Sequence, residues 1–288
     1  MAKVTKILDF CYLCFMILFP PCKINLGLHI LGKCPDGYHA LDTLMYQLPF
    51  TDILELVPAY GFRFTASGLE IPGDKASNLC VKAFRLMQSR YNIPDISIHL
   101  HKIIPMGGGL GGGSADAAYT LKGINDLFEL KLDAHTLQQL AAELGSDCPL
   151  FIEEMPQIAQ GRGELLSTAA LSLEGYYIKL VNPGIHVSTR EAFDSVSFYT
   201  GEDTVTEIIS QPVNTWKSRL VNSFEQSVFK QYPLLQEIKE ALYNEGAVYA
   251  AMSGSGSTMF GIFMQKPALY SFLQEEKGFF EQVFFLGK

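Results

Sequence analysis

The sequence predicts an α+β fold in two domains. The chain has 288 residues, 48% of them hydrophobic, enough for two modest cores. Its strand-like and helix-like stretches do not alternate regularly, which argues against a doubly wound parallel sheet. A strand-like segment near residue 100 runs through an unusually glycine-rich loop directly into a helical stretch. The division is expected near residue 158, with an N-terminal α+β unit over 1–158 and a C-terminal α+β unit over 159–288.

Taken in order, residues 1–19 hold Lys3 and Lys6 followed by an apolar run from Ile7 to Phe19. No small-residue cleavage site follows, and the run is too short to span a bilayer. Either it lengthens the first strand, or residues 1–15 are an upstream extension and Met16 is the natural start, the reading preferred here. Residues 23–31 alternate, with Ile24, Leu26, Leu28 and Ile30 on one face and Lys23, Asn25, Gly27 and His29 on the other, a half-buried strand with a polar face. Pro35, Asp36 and Gly37 mark a turn. Residues 41–57 read as one or two strands broken near Pro49, and 78–91 as a helix. Ile96, Ile98 and Leu100 alternate along a strand ending at Lys102. A helix is expected from an N-cap at Ser114, and another over 136–144 closed by Gly145. Later expectations are a strand over 176–181, a helix beginning near Ser188, helices over 218–229 and 234–245, a strand over 259–264, and a last helix and strand over 268–288.

Pro105, Met106, Gly107, Gly108, Gly109, Leu110, Gly111, Gly112, Gly113 and Ser114 are the most informative run in the chain. A backbone without Cβ atoms can curl round an anion and aim its N–H groups at it. A helix starting directly behind adds the positive end of its dipole. The expected ligand is a polyphosphate. A flexible linker is the plainer reading, but linkers do not normally end in an amphipathic helix. The Gly-Lys-Ser/Thr ending of a P-loop is absent, so the loop alone does not say which nucleotide chemistry it serves.

The net charge of −8 argues against nucleic acid as a partner. Polyphosphate binding must then rest on local groups. Six cysteines, at 11, 14, 22, 34, 80 and 148, show neither a disulfide framework nor a zinc spacing, so reduced cytoplasmic thiols are expected. No metal ligand set is assigned. Several polar residues invite attention, and each alone has an ordinary reading. Lys23 could be an edge-strand charge, Asp147 a helix cap, Tyr38 and His39 loop residues, Phe193 core, and Lys102 a solvated strand end.

Together these segments resemble the GHMP small-molecule kinases. The resemblance rests on Pro-Pro-Cys-Lys-Ile-Asn-Leu at 20–26, the glycine-rich loop, and Ser-Gly-Ser-Gly-Ser-Thr at 253–258. Asp-Gly-Tyr-His at 36–39, Leu-Gly-Ser-Asp-Cys-Pro-Leu-Phe at 144–151 and Gly-Arg-Gly-Glu at 161–164 are similar to one branch, whose acceptor is a cytidylyl methylerythritol of non-mevalonate isoprenoid synthesis. The resemblance covers nearly the whole chain after Met16. It implies an N-terminal ATP-binding domain, a C-terminal ferredoxin-like domain, and transfer of the γ-phosphoryl group of ATP to an alcohol.

It also implies roles. Lys23 and Asp147 are the expected catalytic pair. Gly107 to Ser114, with Pro105 and Met106, would wrap the ATP phosphates. Asn78 and Lys102 would lie near the adenosine or the loop, and Gly254, Ser255 and Gly256 would close over the site. Asn25, Tyr38, His39, Thr189 and Phe193 would bind the acceptor, with Tyr38 stacking on cytosine and His39 reading its polar edge. ATP with Mg²⁺ is the implied cofactor, the metal held mainly by nucleotide and water. The implied partner is this small molecule, with no nucleic acid and no membrane, in a monomer or homodimer. Other GHMP kinases, acting on homoserine or mevalonate, and a non-catalytic nucleotide-binding regulator on the same scaffold are the alternatives. Two positions depart from the family pattern. Cys22 stands where Ala is common, and Ala115 replaces a second serine, removing a hydroxyl from the loop's edge.

Overall fold

The computed structural model describes residues 15–269 and 279–287. The apolar stretch over residues 1–14 and the helix expected after Ala268 therefore lie outside the described residues or run into that boundary. In chain order the first strands are β1 (Met16–Leu18), β2 (Pro21–Lys33), β3 (His39–Thr51), β4 (Ile53–Pro58) and β5 (Arg63–Gly68). Then come α1 (Leu79–Tyr91), β6 (Ile96–Lys102), α2 (Gly112–Leu127), α3 (Ala134–Leu144), β7 (Gln157–Gly161) and β8 (Leu165–Thr168). The remainder holds β9 (Tyr177–Asn182), α4 (Thr189–Asp194), α5 (Val205–Ile209), α6 (Glu225–Gln231), α7 (Pro233–Asn244), β10 (Tyr249–Met252), β11 (Met259–Phe263) and β12 (Phe280–Phe285).

Three four-stranded sheets result, ordered β1-β4-β6-β5, β2-β3-β7-β8 and β10-β11-β9-β12. The first is antiparallel apart from the parallel pair β5–β6, and it carries α1, α2 and α3 on its apolar face. Small residues let these helices approach closely. Ala83, Ala117 and Ala118 are fully buried, and a Cβ at Gly123 would meet Leu18 and Leu56 at 2.5 and 2.6 Å. Glycine inside a helix costs about 1 kcal/mol relative to alanine, which here is offset by contact with the sheet. The third sheet is wholly antiparallel, with β11 and β9 central and β10 and β12 at its edges, backed by α6 and α7. The second sheet runs between the two, and β7 hydrogen-bonds β3 across residue 158. Among the described residues, no helix is long and apolar enough to cross a membrane.

Local chemistry explains where elements depart from the sequence expectation. β2 is buried on both faces rather than half-buried. Gly27, at φ +66, forms a bulge between Leu26 and Leu28 that inverts the alternation. Ile24 and Leu26 consequently pack with Leu44 and Leu48, while Leu28 and Ile30 pack with Leu41, Val181 and Phe224. Pro49 does not break β3, because it occupies an exposed irregularity in the β2–β3 register. The break falls at buried Asp52. α2 starts at Gly112, capped by Gly111 in the left-handed region, so Ser114 lies inside its first turn. α3 starts at Ala134 behind the Asp133 cap, and Gly145 ends it with an extended backbone rather than a left-handed one. The helix expected over 218–229 begins only at Glu225. Residues 221–223 instead pair with Leu28 of β2, and Asn222 donates to the carbonyls of Met252 and Gly254.

Candidate active site

β2 places Lys23 and Asn25 two residues apart on one face, and both are almost fully buried. The Lys23 ammonium donates to Asn25 Oδ1. Asn25 Nδ2 donates in turn to Thr43 Oγ1 at 3.1 Å. Lys23 Nζ stands 3.8 Å from Asp147 Oδ2. Asp147 precedes a 3₁₀ turn over Cys148–Ile152 yet makes no side-chain cap bond, and its carboxylate, 38% exposed, faces Lys23. Burial lowers the Lys23 pKa, and Asp147 opposes that shift. The pair is thus a desolvated cation next to an accessible carboxylate.

The glycine-rich loop lies directly over this pair. Lys23 N–H donates to Leu110 O at 2.9 Å, and a Cβ at Gly111 would meet Phe151 at 3.0 Å and the Lys23 side chain at 3.1 Å. Gly107, Gly109 and Gly111 all have φ between +69 and +78. Their freedom serves packing as well as curvature. A Cβ at Gly108 would run into Asn182 and Thr258, and one at Gly109 into the Ser253 carbonyl. Thr258 N–H donates to Gly108 O at 3.1 Å, and Ser253 Oγ donates to Gly109 O at 2.9 Å. The two glycine loops, far apart in sequence, are therefore one hydrogen-bonded unit, with Gly254 and Gly256 at positive φ beside Asn25 and Met252. The first turn of α2 begins where this unit ends, and the first turn of a helix leaves backbone N–H groups without intrahelical partners. Ser114 there interacts with the Cys148 thiol, whose pKa burial raises to about 11.

Aromatic side chains cluster around His39. His39 stacks on Phe193 with ring centres 5.0 Å apart, and Phe198 tilts against it at 6.1 Å. Phe193 is held edge-on by Phe224 at 4.8 Å. Tyr38, 62% exposed, projects from the 34–38 turn that Asp36 closes by accepting its N–H. The Arg162 guanidinium sits 5.2 Å above the Tyr38 ring and 3.3 Å from Asp36. Thr189, at the start of α4, meets Ser255 hydroxyl to hydroxyl at 3.1 Å, linking α4 to the second glycine loop.

Asn78 and Lys102, expected near the adenosine or the loop, both make structural bonds close to the start of α2. Asn78 caps α1 by accepting Cys80 N–H at 2.9 Å, next to Leu79, which faces Gly113. Lys102 is not a solvated strand end. It occupies the inward face of β6, is 1% exposed, and its ammonium is engaged by Asp52 and Asp116. Its ammonium lies beneath the end of the loop at Gly112. Among the described residues no group of three His, Cys, Asp or Glu side chains could hold a metal ion.

The described geometry matches known proteins in sequence as well as shape. The GHMP kinase N-terminal domain matches residues 78–153, and the GHMP kinase C-terminal domain matches 212–277. A 4-diphosphocytidyl-2-C-methyl-D-erythritol kinase from Cytophaga hutchinsonii is 50% identical over 256 residues, 88% of this chain and 95% of that protein. The chain belongs to the 4-diphosphocytidyl-2-C-methyl-D-erythritol kinase family. A crystal structure of a 4-(cytidine 5'-diphospho)-2C-methyl-D-erythritol kinase superposes with a TM-score of 0.75 at 32% identity, covering 86% of this chain and 90% of that one. A homoserine kinase from C. hutchinsonii shares the fold, with a TM-score of 0.63 over 94% of both chains, at only 16% identity. As a GHMP kinase of this family the chain uses ATP and a small-molecule acceptor.

Within that family frame, several supporting residues escaped the sequence reading. Thr43, Asn182, Asn222 and Thr258 are buried polar groups that fix Asn25 and the second glycine loop. Each resembles an ordinary strand or loop residue, and only the fold brings them to the site. Asp116 was more visible, as a carboxyl among the alanines of an apolar helix face.

Proposed function

We propose that this chain transfers the γ-phosphoryl group of ATP to the 2-hydroxyl of 4-diphosphocytidyl-2-C-methyl-D-erythritol, giving the 2-phosphate and ADP. The observation that carries the reading is the exposed Asp147 carboxylate 3.8 Å from buried Lys23, with the glycine-loop helix on one side and the Tyr38, His39 and Phe193 surface on the other. The 50% identity to a relative of that name supports the same acceptor.

In this reading the phosphates of ATP lie on the N–H groups at the start of α2, from Gly111 to Ser114, under the Gly254–Gly256 turn. The cytosine lies between Tyr38 and Phe193, and His39 hydrogen-bonds its polar edge. A flat base against flat rings supplies affinity, and the polar contacts supply specificity. Asn25 and Thr189 hold the erythritol portion. Asp147 accepts the hydrogen bond of the attacking hydroxyl and takes its proton as the new P–O bond forms. The bond to the bridging oxygen breaks and ADP leaves with that electron pair. Phosphoryl transfer depends mainly on positioning and electrostatic stabilisation, which the pre-set Lys23 ammonium provides. The metal that accompanies ATP is assigned mainly to the nucleotide phosphates and water. The division expected near residue 158 falls within β7, which with β8 completes the sheet begun by β2 and β3.

ADP release with the cytidylyl alcohol, homoserine and mevalonate as separate acceptors tests this. Turnover is expected with the first alone. Turnover with homoserine or mevalonate and none with the cytidylyl alcohol would sink the assignment.

A further inference from the structure

Lys102 ends β6 with its side chain on the core face, where Ile96, Ile98 and Leu100 are also buried. An ammonium in that position needs partners, since an isolated buried charge is costly. It has two. One is Asp52, the fully buried residue between β3 and β4, and the other is Asp116, at 2.9 Å, on the first turns of α2. Asp52 uses its second oxygen to accept the N–H groups of Ile103 at 2.5 Å and Ile104 at 2.9 Å, the two residues that lead into the glycine loop. The two ends of the loop are therefore tied to one nitrogen. The entering end is held through Asp52 and the leaving end through Asp116.

The site is tight above as well. A Cβ at Gly112, the first residue of α2, would stand 2.9 Å from Lys102 Nζ. Between the tied ends lies the stretch from Pro105 to Gly111, whose glycines would otherwise leave it loose, because glycine loses more backbone freedom on ordering than any other residue. Asp116 Oδ1 is buried without a hydrogen-bond partner, an expense that a purely space-filling residue would not incur.

We propose that Lys102, Asp52 and Asp116 form an ionic staple that pre-sets the glycine loop for ATP, with Lys102 and Asp116 as positioning residues for phosphoryl transfer. The inference rests on the ATP-dependent reading above. All three side chains are buried. They act by holding the α2 N-terminus and the loop entrance in register, so that binding ATP does not have to order the glycines.

The test compares wild type, Lys102→Met, Asp116→Leu and Asp116→Asn as full-length chains. A non-hydrolysable ATP analogue is titrated by calorimetry, which separates affinity from the fraction of folded sites. The staple predicts a Kd raised at least tenfold in Lys102→Met and Asp116→Leu. Asp116→Asn keeps an oxygen that accepts from Lys102, so its Kd should stay within threefold of wild type. The KM of the cytidylyl alcohol should move less than twofold in the variants that turn over. A merely structural role would lower the stoichiometry or the melting temperature and leave the Kd of the folded fraction unmoved. Where Lys102→Met does not fold, the Asp116 pair decides. Asp116→Leu binding within twofold of wild type would overturn the staple alone. A wild type that does not bind the analogue would overturn the ATP reading, and the staple with it.

Discussion

Lys23 and Asp147 come from opposite ends of the N-terminal half, and each is oriented by what its backbone does. Lys23 is fixed on a buried strand, while Asp147 heads a 3₁₀ turn it does not cap. Tyr38 is the opposite case, an exposed ring on a turn, touched by the guanidinium of Arg162. In the proposed site its exposed ring is the one that stacks on the acceptor's base. Tyr38→Ala should therefore raise the KM of the cytidylyl alcohol several-fold, up to about tenfold, in line with about 0.5–1.5 kcal/mol for an aromatic pair. Steady-state titration of each substrate checks it, and an equal rise in the KM of ATP would contradict the stacking role. Asp116 permits a pH prediction. Burial chiefly, opposed by Lys102 and reinforced by Asp52, raises its carboxyl from an ordinary 3.8 to about 7. The folded protein thus holds this proton more tightly than the unfolded chain does. That contribution to stability is complete below pH 3.8 and is lost as pH rises through about 7. Denaturant titrations of wild type and Asp116→Asn should show wild type losing ground to the variant between about pH 4 and 8. A pH-independent difference would remove the raised pKa from the account.

Among the elements, the glycine-rich loop was the most legible in the sequence and also the most incompletely read. Its composition and its position before a helix pointed to an anion site. It gave no sign that Gly108 and Gly109 are small because Asn182, Thr258 and Ser253 press against them, residues 74 or more positions later. Distances of that kind are set by the fold and leave no local trace. The same holds for Gly27, where a single positive-φ residue turned an apparently clean alternation into a strand buried on both faces. Lys102 fits the alternation of β6 perfectly well, and only its polarity argued for solvent. Glycines in this loop are consequently unequal. Gly109→Ala should lower unfolding free energy by at least about 2 kcal/mol, through a left-handed backbone and a clash with the Ser253 carbonyl. Gly113→Ala should be neutral or slightly stabilising, since its Cβ would find Leu79 at 3.9 Å and alanine favours helix by up to about 1 kcal/mol. Equilibrium unfolding of the two variants decides, and equal destabilisation would contradict the packing described.

On the scale of the molecule, the site belongs to neither half alone. Ser253 and Thr258 from the C-terminal half bond to Gly109 and Gly108, and Leu28 of β2 is bridged by Asn222. The mixed α+β architecture was legible because strand and helix periodicities fail to alternate. The three-sheet arrangement was not, since which strand leaves one sheet for the next depends on Asp52 and on the β2 bulge. A ligand at such a junction should stabilise the whole chain. ATP at a hundredfold excess over its Kd should add about 2.7 kcal/mol to unfolding, visible as a rise of several degrees in Tm. A Tm unmoved by saturating ATP would mean that the folded chain does not bind it.

The role proposed for Asp147, set against Lys23, is phosphoryl transfer to the cytidylyl alcohol. Phosphorus NMR of the reaction mixture tests it most directly, run with wild type and with Asp147→Ala. Wild type should form one new phosphomonoester, on the tertiary alcohol, for each ADP released. Asp147→Ala should form it at least about a hundredfold more slowly while still binding ATP. ADP without the ester in wild type, or the ester at an undiminished rate in Asp147→Ala, would contradict the account.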